Sequence, residues 1–253
     1  MQHPATPASG PRDADRTALL RDLAQRTGTM TQGYGARGHD TTDQDIHQAT
    51  LAEVFAETVT DAAAVGFVFA HLEARSRAGK PLLWVQDRLS RRESGQPCLA
   101  GMGDPALLYL EVSRATDVLW AMEEGLRCTD LGGVVGEVWG NAPALDFTAT
   151  KRLALRAEAH GVPAWLIRRA ATPDLSAARE RWRLASLPAA QDPDDARAPG
   201  APVWRADLFR ARWRATGQWV AHPEAAGLRM EHGQAGQSLP DTGPARTENR
   251  AAG

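Results

Sequence analysis

Apolar positions along this chain switch repeatedly between two spacings. Leu51-Ala52-Glu53-Val54-Phe55 reads as a strand. Over residues 61–78 the spacing turns helical, with Val65, Phe69 and Leu72 on one side, Asp61 or Thr60 as cap and Gly79 as stop. Pro81-Leu82-Leu83-Trp84-Val85 is a continuous apolar run, the kind buried on both faces of a sheet. Leu107–Val112 is another short strand. Thr116 then caps a helix through Leu126 whose apolar stripe is Val118, Leu119, Met122 and Leu126. Residues 132–139 form the next strand, Thr148 or Thr150 opens a helix ended by Gly161, and residues 162–167 return to strand. This order predicts an α/β fold with a mostly parallel twisted sheet flanked by helices.

The last third changes character. Residues 181–187 alternate with period two, 203–212 alternate more loosely, and 218–221 form a third short strand. All three are expected to extend the sheet as antiparallel, half-exposed strands, with 188–202 as a loop. The expected organisation has three parts. Residues 1–48 hold an N-terminal helix, with Leu19, Leu20 and Leu23 grouped before Gly28, and a polar linker. Residues 49–222 form the α/β domain. Residues 223–253, poor in apolar side chains, read as a disordered tail.

Charge narrows the function classes. The 253 residues carry 29 Lys plus Arg against 31 Asp plus Glu, a net charge of -2. That argues against a protein that coats nucleic acid by charge alone. Only Lys80 and Lys151 are lysines, which leaves few candidates for chemistry that needs an amine. Positive charge is concentrated late: residues 168–214 hold ten Arg against six acids. No apolar run is long enough to span a membrane, no secretory leader is visible, and Cys98 and Cys128 are too few for a disulfide framework. A cytoplasmic protein without membrane partners is expected, with both cysteines in the core.

Catalytic signatures are scarce. The turn after the first strand, Ala56-Glu57-Thr58-Val59-Thr60-Asp61-Ala62-Ala63-Ala64, stands where βαβ nucleotide folds keep a glycine-rich phosphate loop, yet it has no Gly and no Lys. Glu57 and Asp61 would set two negative charges beside a phosphate. Glu137, near the end of its strand, occupies the place of a Mg²⁺-holding acid but reads better as a carboxylate bonded to a neighbouring loop. The His39-to-His47 run mixes two His with three Asp but sits in the polar linker without metal-site spacing. No catalytic residue, cofactor or metal is therefore expected. Arg168 and Arg169 follow the 162–167 strand directly, with Arg179 and Arg181 close behind. These four, with Trp204 and Trp213, are the candidate contacts for DNA or an acidic partner.

Several stretches together carry a family resemblance. They include Ala121-Met122-Glu123-Glu124-Gly125-Leu126-Arg127-Cys128, Leu131-Gly132-Gly133-Val134-Val135-Gly136-Glu137-Val138-Trp139-Gly140 and Leu145-Asp146-Phe147-Thr148-Ala149-Thr150-Lys151-Arg152-Leu153. Arg181-Trp182-Arg183-Leu184-Ala185 and Ala201-Pro202-Val203-Trp204-Arg205-Ala206-Asp207-Leu208 complete the pattern. Across residues 15–222 the chain resembles the ImuA family, a shortened relative of RecA. The resemblance implies a RecA-like core and an accessory role in damage-induced translesion synthesis and mutagenesis. It implies as partners an ImuB-type inactive Y-family polymerase and an error-prone DnaE-type polymerase. DNA would be met directly or through the partner, and self-association is a further expectation. It also implies a degraded ATPase site: Gln86-Asp87-Arg88 stands where RecA keeps its catalytic acid, Glu137 is a degenerate Walker B acid, and 168–178 corresponds to a DNA-facing loop. The alternatives are a DNA-dependent ATPase with a non-standard nucleotide loop and a SulA-like cell-division inhibitor.

Overall fold

Apolar runs that can be buried on both faces need neighbours on both edges, and here they pair into one sheet. The computed structural model describes residues 49–77, 79–98, 106–195, 197–224 and 227–232. The strands are β1 (Leu51–Ala56), β2 (Leu82–Asp87), β3 (Leu107–Val112), β4 (Gly133–Trp139), β5 (Ala164–Arg169), β6 (Glu180–Leu187), β7 (Val203–Ala211), β8 (Gly217–Glu224) and β9 (Gly227–His232). Their order across the sheet is β3-β2-β4-β5-β1-β6-β7-β8-β9. Pairing is parallel from β3 to β6 and antiparallel from β6 to β9. The expected α/β class, mostly parallel sheet and antiparallel C-terminal extension are therefore present.

Four helices are described: α1 (Ala63–Arg77), α2 (Arg88–Ser94), α3 (Ala115–Gly125) and α4 (Phe147–His160). Helix α1 covers one face. Its Phe67 meets Trp182 at a ring distance of 5.1 Å, Trp165 at 6.2 Å and Trp204 at 6.4 Å. Gly66 permits this approach, because a Cβ there would lie 2.6 Å from Trp204 Cζ2. Helices α3 and α4 cover the other face through Val118, Leu119, Met122, Leu153 and Ala157. Gly161 ends α4 with φ 68°, a left-handed cap that glycine adopts without steric cost. No described helix is long and apolar enough to cross a membrane.

Several expectations are corrected. Strand β6 is parallel to β1, with Glu53 opposite Arg181, and not antiparallel. The chain achieves this without a crossover helix. After Arg169 it turns at Ala170 (φ 47°) and returns as an extended segment whose Ser176, Ala177 and Ala178 are buried. Thr150 of α4 holds that segment by accepting the Ala177 amide at 3.0 Å. The sheet also runs past residue 222, where a disordered tail was expected, because β8 ends at Glu224 and β9 reaches His232. Helix α2 was not foreseen: it is polar, with Ser90 its one buried residue, and is capped by Asp87. Asp146, and not Thr148 or Thr150, caps α4 by accepting the Ala149 amide at 2.7 Å. Thr116 lies inside α3, whose N-cap is Arg114. Cys98 is exposed and Cys128 half-buried. The N-terminal helix, the 29–48 linker with its His39-to-His47 run, and residues 233–253 lie outside the described residues.

Candidate functional site

The parallel strands end together on the α1 face, and their last inward side chains are polar. Each must find a partner, since a buried polar group without one costs about 1–3 kcal/mol. The result is a continuous ladder across the sheet. On β3, Tyr109 donates to Gln86 Oε1 at 2.7 Å. Gln86, on β2, donates to Glu137 Oε2 on β4 at 3.1 Å, and Trp84 Nε1 donates to the same oxygen at 3.3 Å. The other carboxylate oxygen of Glu137 receives Arg169 Nε of β5 at 2.8 Å. Arg169 Nη1 continues to the carbonyl oxygen of Asp61 at 2.7 Å, at the entrance to α1.

Asp61 completes the ladder. Its Oδ1 accepts the Ala63 amide at 2.8 Å and the Ser186 hydroxyl at 2.6 Å, while Oδ2 accepts the Ser186 amide of β6 at 2.7 Å. A helix N-terminus attracts anions through its free amides and its dipole. Here the anion is the chain's own carboxylate. Glu57, the other acid of this turn, pairs with Arg205 of β7 at 2.5 Å. Asp87, at the end of β2, caps α2 by accepting Ser90 N at 2.6 Å and accepts Trp139 N at 3.2 Å.

Glu137 is 1% exposed. Burial pushes its carboxyl above the ordinary range, and the adjacent Arg169 guanidinium and the Trp84 N–H pull it back. Both its oxygens are engaged, but by side chains of β2 and β5 and not by the neighbouring loop that the sequence suggested. Arg169 supplies the positive charge beside it.

A second buried cluster lies on the opposite face. Side chains alternate along β5, so Arg168 points away from Arg169 and towards α4. There Glu53 of β1, 0% exposed, faces two guanidinium groups: Arg181 Nε at 2.7 Å and Arg168 Nη1 at 3.6 Å. Asp174 closes the cluster from the β5–β6 segment, with Oδ1 3.4 Å from Arg168 Nη1 and its carbonyl accepting Arg181 Nη1 at 2.9 Å. Both guanidinium groups lie over the Phe55 ring, at 5.6 and 5.3 Å.

These positions revise the expected contact surface. Arg168, Arg169 and Arg181 are 1%, 4% and 4% exposed and are paired with Glu53 or Glu137, so they face the interior and not a partner. A buried carboxylate requires a cation, and the strand register supplies these three. Arg179 stands apart just before β6, paired with Glu158 at 2.7 Å. Trp204 is buried, whereas Trp213 is 50% exposed. Residue patterning missed Glu53, Gln86, Tyr109, Asp174 and Ser186. For Glu53 a signal existed: a lone acid inside an apolar strand must be neutralised from a neighbour.

No protein-family model matches the chain. Among curated proteins, it is 32% identical over 195 residues to Protein ImuA of Caulobacter vibrioides strain NA1000 / CB15N, covering 72% of this chain and 75% of that protein. The same values hold for Protein ImuA of Caulobacter vibrioides strain ATCC 19089 / CIP 103742 / CB 15. With identity at this level spread over most of both chains, the protein belongs to the ImuA family.

Proposed function

We propose that this protein is a non-catalytic accessory factor of damage-inducible mutagenesis, with a RecA-like core used as an adaptor. Its partners in this reading are an ImuB-type inactive Y-family polymerase and an error-prone DnaE-type polymerase, with DNA reached directly or through them. Family membership supports the theme. The single observation that carries the non-catalytic part is the Asp61–Arg169–Glu137 connection. Where a nucleotide fold needs a free helix N-terminus and an available carboxylate, Asp61 accepts from the helix and Arg169 holds Glu137 at 2.8 Å. A triphosphate entering this turn would meet Asp61 and Glu57, a repulsive arrangement.

The test is a pair of measurements on the full chain. Purified protein with ATP, Mg²⁺ and single-stranded DNA is expected to show no turnover above a blank, and co-expression with the two polymerase-related proteins is expected to recover a complex. Turnover that disappears in Glu137→Ala overturns the non-catalytic reading. Failure to recover either polymerase partner overturns the adaptor role.

A further inference from the structure

The eight tryptophans of this chain differ sharply in environment, and Trp213 alone is exposed, at 50% of its surface. It sits in the turn between β7 and β8. Two guanidinium groups flank it, Arg179 at 5.9 Å and Arg212 at 5.8 Å from the ring centroid. Backbone pairing sets this arrangement: Arg179 N donates to Leu51 O, and Arg212 N donates to Arg179 O, each at 2.9 Å. Arg214 anchors the turn from below, lying 4.9 Å over the buried Trp182 ring and pairing with Glu180 at 2.7 Å.

Charge at this turn is not balanced. Arg179 and Arg214 are answered by Glu158 and Glu180, while the exposed Arg210 and Arg212 make no ion pair among the described residues. The turn therefore presents an aromatic ring beside Arg212, whose charge reaches Glu158 without a direct pair, while Arg210 near the end of β7 has no ion pair among the described residues. Trp and Arg are the side chains that most often dominate protein interfaces, and a pre-ordered pair loses little freedom on binding. The site lies at the start of β1 and β6, the end of the sheet away from Asp61 and Glu137.

We propose that the β7–β8 turn is a docking surface for a protein partner, specifically an acidic segment with an apolar residue at its centre. The apolar residue covers Trp213, and the flanking carboxylates take Arg210 and Arg212 as charge-assisted pairs. A nucleic-acid strand fits less well. Its phosphates need a continuous basic track, and here Glu158 and Glu180 interrupt the positive charge within one turn. The inference concerns this surface alone and does not depend on the polymerase reading.

The test uses the full chain and a labelled synthetic peptide of Asp and Glu around a central Leu-Phe pair, alongside the same peptide with Lys for every acid and a single-stranded poly-dT probe. The acidic peptide is expected to bind saturably and the Lys peptide not at all. Trp213→Ala and the double change Arg210→Glu/Arg212→Glu should each weaken binding by roughly tenfold or more. Thermal midpoints close to the parent would show that the variants fold. Absence of saturable acidic-peptide binding, or binding that both variants leave intact, overturns the proposal. Poly-dT binding that is lost in Trp213→Ala while the acidic peptide is ignored overturns it in favour of nucleic acid.

Discussion

Arg169 reaches diagonally across the β4–β5 pair to Glu137, two residues short of its own register partner Trp139, and closes at 2.8 Å with both side chains buried. The two charges are out of water together, so either alone is worse than neither. Arg169→Ala or Glu137→Ala should therefore destabilise the protein by about 3–5 kcal/mol, the usual cost of stranding a buried charge. A double replacement by Met at 169 and Leu at 137 should recover much of that loss. Urea unfolding of the singles and the double measures the coupling, and additive losses would show that the pair is not coupled.

Asp61 joins α1 to β6 through one carboxylate. Asp61→Ala removes the acceptor of the Ala63 amide and both Ser186 contacts, and a loss of about 1–2 kcal/mol is expected in denaturant unfolding. Ser186→Ala, which removes the hydroxyl alone, should cost less than Asp61→Ala. Equal losses would mean that neither the helix contact nor the Ser186 amide contact contributes.

Gly66 faces Trp204 so closely that an added methyl must displace the indole. Gly66→Ala should lower stability by about 1–3 kcal/mol through overpacking, more than the gain in helix propensity can offset. Combining it with Trp204→Phe should restore part of the difference, measured as the shift in urea midpoint.

Glu158 gives an acid-side signature. Hydrogen bonds from Arg179 lead the causes that hold its carboxyl below the ordinary range, and burial opposes them. The folded pKa is thus lower than the unfolded one. The contribution is fully present above the unfolded value and is lost as pH falls through the folded one. The pair is partly solvated, so the effect is roughly 0.2–1 kcal/mol. Glu158→Gln should flatten the stability profile below about pH 4.5 and leave the slope above neutrality unchanged, as read by thermal melts across pH.

The legible parts of this fold were those where burial imposes a period. Pro81 to Val85 could only be a strand buried on both faces, and Leu82, Trp84 and Val85 are indeed fully buried. In β7 the period-two spacing aligns Trp204 with Ala206 and Leu208, so Trp204 belongs to the core by the same rule that frees Trp213 beyond the strand's end. Helix α2 left no signal because a short helix with one buried serine has no apolar stripe. The parallel course of β6 was hidden because its connection from β5 contains no helix to betray a crossover. The arginines misled for a different reason. Adjacent Arg168 and Arg169 look like a solvated pair, and only the register of β1, β4, β5 and β6 reveals that each faces a buried acid.

Asp61 also sets a competition. A carboxylate tethered two residues before the first residue of α1 is present at its helix amide at a local concentration fixed by the backbone, well above the millimolar range that a flexible short tether provides. Any phosphate from solution competes against that standing ligand and must also part Asp61 from Ser186. Whether the turn stays closed to soluble anions thus depends on how firmly β6 is held in the sheet. The antiparallel extension, which packs against α1 through Trp204 and pairs with β6 through β7, acts as the latch on that helix's positive end.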